Sequence, residues 1–319
     1  MFEDLSLWLV IGAFGGGFFG AAIGALNAFI FTGFTVIAGV AYLSATGDGW
    51  FLDNVAFGAV FGPHIGFAGG VAAAAFAKRQ GLFEDAKDIG SGLVGLANPV
   101  VLIVGGVFGI VGLLLVTALN ELGVAALNFP HAEAYTDSIA LTVALSNIIA
   151  RVIFGKAGVI GKLSEEAKAR GRFVADGANV WVPFQKDWGM AAVLGVGAGA
   201  ASAFMVVAAT AADIPGQAVV LGFGISAASL MFLTFGKDCP VTHHMTLPAA
   251  VATAQMLAAG ATFDVAILVG LVFGAIGALL GEFFARLFLI HGDTFIDPPA
   301  NAIWAATTLA FAVGAIAGA

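Results

Sequence analysis

The chain has 319 residues, 60% of them hydrophobic and only 10% charged, with a formal net charge of -8. A water-soluble globular domain, whose charged residues make up about a quarter of the chain, is excluded by that balance, and nothing in it supports a nucleic-acid partner. The single cysteine, Cys239, excludes a disulfide framework within the chain and a thiolate-only metal cage.

The mean hydropathy of +1.02 comes from apolar runs that recur from end to end, each near the ~20 residues that cross about 30 Å of hydrocarbon. Met1, Phe2, Glu3 and Asp4 are acidic or apolar where a signal peptide is basic, so the beginning is expected to be the retained start of the first span. Turn and charge signals then predict spans at about 6–25, 28–45, 54–77, 98–119, 136–155, 188–211, 217–235, 241–259, 264–289 and 298–317. Forty-five glycines predict close helix packing, because small residues let backbones approach where lipid supplies no hydrophobic drive.

The twelve basic residues orient these spans. Lys78, Arg79 and Lys87 follow the third; Arg151, Lys156, Lys162, Lys168, Arg170, Arg172 and Lys186 end the fifth and fill the connection after it; Lys237 follows the seventh and Arg286 lies near the end of the ninth. With ten spans all of them fall on one side, which the positive-inside rule makes cytoplasmic. Both termini are then expected to be extracytoplasmic, in a multi-pass protein of the cell (inner) membrane. The opposite loops hold Asp48, Asp53, Glu121, Glu133, Asp137, Asp213 and Asp264. The connection at 156–187 contains "KLSEEAKARGR", which suits a short amphipathic helix and reads as a linker with a solvated surface.

An internal similarity divides the chain. "VGGVFGIVGLLL" from Val104 matches "VGLVFGAIGALL" from Val269 at eight of twelve positions. "HIGFAGGVAAAA" from His64 parallels "HMTLPAAVATAQ" from His244, and Asp137 before the fifth span parallels Asp297 before the tenth. Two repeats, 1–155 and 188–319 around the linker 156–187, hold five spans each, and an odd number reverses the second repeat in the membrane. The expected fold is therefore an all-α polytopic membrane protein of about ten transmembrane helices, a 5+5 inverted-topology repeat in which the third and eighth spans are interrupted.

Those interruptions direct attention to a site. "FGPHIG" surrounds His64 with Gly62, Pro63 and Gly66, and "GKDCPVTHHMTLP" sets Pro240 and Pro248 about Thr242, His243, His244 and Thr246. Proline removes a backbone donor, and irregular backbone at membrane depth is tolerated where protein buries it or a wet cavity receives it. Pro63, His64, Thr242, His243, His244 and Thr246 are thus candidate substrate-binding residues, with Asn147 and Thr307 as polar residues of the fifth and tenth spans that line the path or bond across helices. His64 and His244 form the repeat-related pair, able to carry a proton, donate to an anion or hold two helices together; His243 is expected behind the pair or at the cytoplasmic mouth. Asp297, with Pro298 next to it, is expected to cap the tenth helix, and Glu282 to pair with Arg286 one turn on. No metal site is expected from Cys239, His243 and His244, and no cofactor.

Phosphate-loop, zincin and nucleophile-elbow motifs are absent from the sequence. "FGKDCPVTHH" is similar to the "GKxGPxxH" signature of the chloride channel and transporter family, and "AVFGPHIGFAGG" to its "GxFxP" stretch. Cys239 replaces the second glycine, Asp238 holds the gating-glutamate position, the two motifs come in reversed order and the chain is shorter than that fold. The resemblance is read as a similar local solution for a half-helix terminus, not as membership. Taken together, the residues point to a secondary transporter for a small polar or anionic solute rather than an enzyme, with a passive channel, a non-transporting membrane subunit or a membrane-embedded enzyme as alternatives. The partners expected are the lipid bilayer, a small solute or ion and, as an open alternative, further copies of the chain in a homo-oligomer.

Overall fold

A computed structural model describes residues 5–123, 135–177, 179–214 and 216–318. Glu133 and residues 1–4, to which the sequence analysis assigned loop and terminal roles, lie outside them. The described residues are helical and contain no strand, only two isolated bridges. The helices are α1 (Leu7–Ile23), α2 (Ala25–Thr46), α3 (Gly66–Arg79), α4 (Pro99–Glu121), α5 (Ser138–Phe154), α6 (Glu165–Arg170), α7 (Trp188–Ala211), α8 (Leu221–Ser229), α9 (Met231–Thr234), α10 (His243–Ala258), α11 (Phe263–Phe284) and α12 (Pro298–Ala317). Among the described residues, five helical segments are long and apolar enough to cross a membrane: Ala25–Thr46, Pro99–Glu121, Trp188–Ala211, Phe263–Leu289 and Pro298–Ala317. Leu7–Ile23, Ser138–Phe154 and Ala218–Thr234 are apolar but shorter.

Apolar residues occupy both faces of these helices, so burial alone does not decide which face turns inward. Small size does. In α4 the face with Gly105, Gly109 and Gly112 is buried while Ile103, Val107 and Leu114 are exposed; in α11 Gly270, Gly274 and Gly277 are buried while Leu268, Val272 and Leu279 are exposed. Exposed branched side chains over a buried glycine seam suit a lipid surround, where close contact of backbones, not removal of water, holds helices together. The contacts are close. A methyl group at Gly17 would lie 2.2 Å from the carbonyl oxygen of Gly105, one at Gly109 would lie 2.1 Å from that of Ala13, and one at Gly274 would lie 2.2 Å from that of Gly195.

The two halves of the chain use the same pairings. α4 packs on α1, α3 and α5 as α11 packs on α7, α10 and α12. The residues that face one another, Ala13 with Gly109 and Ala21 with Gly105, Gly195 with Gly274 and Ala203 with Gly270, make α1–α4 and α7–α11 antiparallel. Two further contacts join the halves. α2 crosses α8 antiparallel, Gly33 facing Ala228 and Val36 facing Gly224, and α5 crosses α12 antiparallel, with Asn147 at Asp297 and Thr136 at Trp304.

The structure breaks two predicted spans where the sequence set its prolines, but with different boundaries. Within 54–77 a π-helical turn, Leu52–Ala56, gives way to irregular backbone, and regular helix begins only at Gly66. The hydroxyl of Thr32 donates to the Phe61 carbonyl at 2.5 Å and serves part of that backbone. The other break precedes α10, over 235–242, whereas Pro248 stays inside the helix. Its ring leaves the His244 carbonyl without the usual helical donor. That carbonyl lies against Gly277, where a methyl group would come within 2.2 Å, just as the His64 carbonyl lies against Gly112, where one would come within 1.8 Å. Span 217–235 is a short 3-10 turn followed by α8 and α9.

The 155–187 connection contains the expected short helix, α6, and is pinned to the turn between α11 and α12. Arg151, at the end of α5 and almost fully buried, donates to the Thr294 hydroxyl at 2.9 Å, to the Val159 carbonyl at 2.8 Å and to the carbonyls of Phe288 and Thr294. Its planar fork of donors serves several acceptors at once. Arg286 pairs with Glu282 at 3.4 Å, as its spacing predicts, and also reaches the carbonyls of Phe173 and Lys186.

Adding one methyl at the glycine seam tests this packing. Gly112→Ala and Gly277→Ala are expected to lower the thermal unfolding midpoint of the purified protein, since overpacking costs about 1–3 kcal/mol. Gly15→Ala, with nothing within 4 Å of the added carbon, is expected to leave the midpoint unchanged or raise it slightly, because alanine favours helix.

Candidate functional site

A cavity of about 330 Å³ lies between the two halves. Its wall is built from α2 (Phe29), α3 (Phe67), α5 (Ala140, Val143), α8 (Phe223), α10 (His243, Leu247) and α12 (Ala300, Ile303). Connecting segments complete it, among them Lys87 and Ile89 after α3, and Trp181 to Phe184 before α7. Phe184 is 39% exposed and Lys87 is half-buried, so this edge reaches the surface, while Val220, Phe223, Ala140 and Val143 at the far wall are buried.

The 156–187 connection is therefore more than the solvated tether that its mixed charges imply. Apolar side chains at Trp181, Val182 and Phe184 turn onto the cavity, and the buried Gln185 side chain accepts from the Val241 N–H at 3.0 Å, tying the connection to the start of α10.

Four wall residues carry polar side chains with titratable groups: Lys87, Asp137, His243 and Asp297. The two aspartates arrive by the same local device. Asp137 ends extended backbone and its Oδ1 accepts from the Ala140 N–H at 2.7 Å; the Oδ2 of Asp297 accepts from the Ala300 N–H, also at 2.7 Å, with Pro298 and Pro299 in the first turn. Each is an N-cap that satisfies an orphan donor of its helix. The capping expected of Asp297 is thus present, but neither aspartate sits in an open loop: Asp137 is 2% exposed and Asp297 8%. Both were legible as repeat partners, 160 positions apart, and Asp297 as a cap; that Asp137 is a cap too and that the two share one cavity was not.

Of the eight candidate residues, Pro63 and His243 line the cavity. His243 is buried, its ring 4.7 Å from that of Phe29 and 6.0 Å from that of Phe223, and its Nδ1 has no protein partner. This corrects its expected position at the mouth or behind the pair: helix α10 starts at His243 itself, which turns the side chain inward. His64 is buried against α4 through its carbonyl at Gly112, and His244 faces α11 at Gly281 and the Trp181 ring at 5.6 Å. Thr242 is the cap residue of α10, and Thr246 bonds to the Ser226 hydroxyl and the His243 carbonyl, both at 3.3 Å. Asn147 accepts from the Asp297 N–H at 3.1 Å through Oδ1, while its Nδ2 has no protein partner. Thr307 bonds back to the Ile303 carbonyl of its own helix at 2.8 Å.

The class defined by these features is an all-helical protein whose long apolar helices are compatible with a membrane-embedded chain. The chain belongs to a family of unknown function (DUF7973), whose model matches residues 1–173 and again 164–319. No curated protein and no solved structure matches it.

Asp137→Ala and Asp297→Ala are each expected to destabilise the helix they cap by about 0.5–2 kcal/mol, whereas the Asn variants, which retain a capping oxygen, lose much less. Amide hydrogen exchange at Ala140 and Ala300 reads the effect directly: faster exchange in the Ala variants and near-native protection in the Asn variants are the expected results.

Proposed function

We propose that the chain is a multi-pass transport protein of the cell membrane, a secondary transporter that carries a small solute through the cavity between two inverted five-helix repeats. The observation that carries this reading is that one cavity receives matching residues from both halves, Asp137 and Ala140 on α5 and Asp297 and Ala300 on α12. A site shared by two oppositely oriented repeats can be offered to either side of a bilayer by rocking one repeat against the other.

Several independent facts support the inverted repeat. The corresponding helices α2 and α8 cross antiparallel, as do α5 and α12. Equivalent glycines, Gly112 and Gly277, take the carbonyls of equivalent histidines. One family model matches both halves. Basic residues then lie in the cytoplasm, with both termini outside, and the exposed edge at Lys87 and Phe184 is the cytoplasmic entrance. The wall, made mostly of aliphatic and aromatic side chains, favours a solute with an apolar body over the small polar or anionic one expected from the sequence. His64 and His244 brace the two broken segments against α4 and α11, and His243 meets the solute.

Reconstitution tests both parts. In proteoliposomes, a panel of radiolabelled amines, amino acids and carboxylates is expected to include one solute that shows saturable uptake and counterflow, both abolished when Ala140→Phe or Ala300→Phe fills the cavity. Non-saturable uptake without counterflow identifies a channel instead. On a Cys239→Ala background, Lys168→Cys is expected to react with an impermeant thiol reagent only from the cytoplasmic side and Asp48→Cys only from outside; reaction of Lys168→Cys from outside overturns the topology.

A further inference from the structure

Resting on that reading of the cavity, we infer that its solute is an organic monocation, an ammonium group attached to an apolar, ring-sized body, with Asp137 and Asp297 as the carboxylates that receive the charge.

Two of the three permanently charged side chains of the wall are carboxylates. Asp137 and Asp297 each commit one oxygen to a helix cap and offer the other as an acceptor. His243, 6% exposed, has a buried Nδ1 that no protein group engages, and when neutral its ring has one N–H donor and one acceptor. An ammonium group supplies N–H donors that a wall carboxylate accepts, whereas a carboxylate solute has none. The wall also has donors, Lys87, half-buried at the exposed edge, and the indole N–H of Trp181.

Charge leads to the same class. Two helix N-termini converge on the cavity, each equivalent to about half a positive charge. Against two carboxylates they leave about one negative charge unbalanced in the interior, which a single cation neutralises. Lys87, half-buried at the rim, offsets part of this charge, and water and salt on its open side weaken that effect.

The remaining wall fits the rest of the molecule. Phe29 stands at the centre of an aromatic group, its ring 5.9 Å from Phe67 and 5.7 Å from Phe223, with Phe295 6.2 Å from Phe67. Ring faces carry negative charge density and attract a desolvated cation, and aliphatic neighbours such as Val143, Leu247 and Ile303 take an apolar body. The volume is at the small end of the range for ligand sites, about 300–1,000 Å³, which suits one ring and a short arm.

The test uses three probes of one shape, benzylammonium, benzyl alcohol and benzoate, added to the purified full-length protein while its thermal unfolding midpoint is followed. A ligand of the folded state raises that midpoint in proportion to its affinity. Benzylammonium is expected to raise it saturably, and the other two to leave it unchanged. Asp137→Asn and Asp297→Asn, which keep the caps and remove the charges, are each expected to weaken benzylammonium at least tenfold, and Lys87→Ala to tighten it. Because Lys87→Ala and the probe series touch neither cap, they decide the matter even if the Asn variants fold poorly. Benzoate stabilising as well as the amine, the amine's effect surviving in the double Asn variant, or no member of the series binding would each overturn the proposal. Carboxylate-dependent binding of the amine without counterflow in vesicles sinks the transport reading and leaves the cation site standing, while counterflow of a carboxylate does the reverse.

Discussion

Contact between backbones at the glycine seams is the constraint from which the rest of the arrangement follows. A helix that is apolar all round gains nothing from hiding one apolar face from an apolar solvent, so orientation is set by how closely two helices can approach and by which buried polar groups they satisfy. Gly105 and Gly109 against Ala13 and Gly17, and Gly270 and Gly274 against Gly195, Gly199 and Ala203, bring α1 to α4 and α7 to α11 until carbonyl oxygens meet α-carbons. α3 packs against the first pair and α10 against the second, and the carbonyls of His64 and His244 fall against Gly112 and Gly277. The two broken segments are thereby held against corresponding glycines in the two halves.

The same packing decides where polar groups can be afforded. The starts of α5 and α12 are buried, and an aspartate at each N-cap supplies an acceptor for their free N–H groups. A carboxylate carried inward to satisfy a helix end also brings charge into an apolar space, at a cost that the helix dipole offsets only in part. One pair of residues thus completes the fold and gives the cavity its only acidic character among the described wall residues. Arg151 solves the opposite problem at the far end of α5, where surplus carbonyls from the α11–α12 turn and from Val159 converge on one guanidinium. That knot also fixes the connection whose apolar end, Trp181 to Phe184, closes one side of the cavity.

Much of the architecture was legible in the chain. The lengths of the apolar runs, the glycine spacing shared by Val104–Leu115 and Val269–Leu280, and the Asp137–Asp297 and His64–His244 correspondences are properties of residue order, and the helix positions and equivalent packing follow them closely. The Glu282–Arg286 pair and the cap at Asp297 were readable for the same reason: both depend on residues within one helical turn of each other. The breaks were readable too, although the outcome at Pro248 was not, because a proline interrupts a helix only when no neighbour accommodates the carbonyl it frees. Gly277 does so from a different helix.

The sequence by itself determined an apolar, helical, internally repeated chain with its positive charge collected in particular connections, since composition, period and local spacing act over a few residues. Only the tertiary structure decided that Asp137, Asp297 and His243 share one cavity, that His64 and His244 turn to the supporting helices, and that a charged connection contributes Trp181 and Phe184 to the wall. Those choices depend on which side of each helix approaches another, and among helices apolar on every side that is settled by the fit of small residues across long separations in sequence, which no local pattern records.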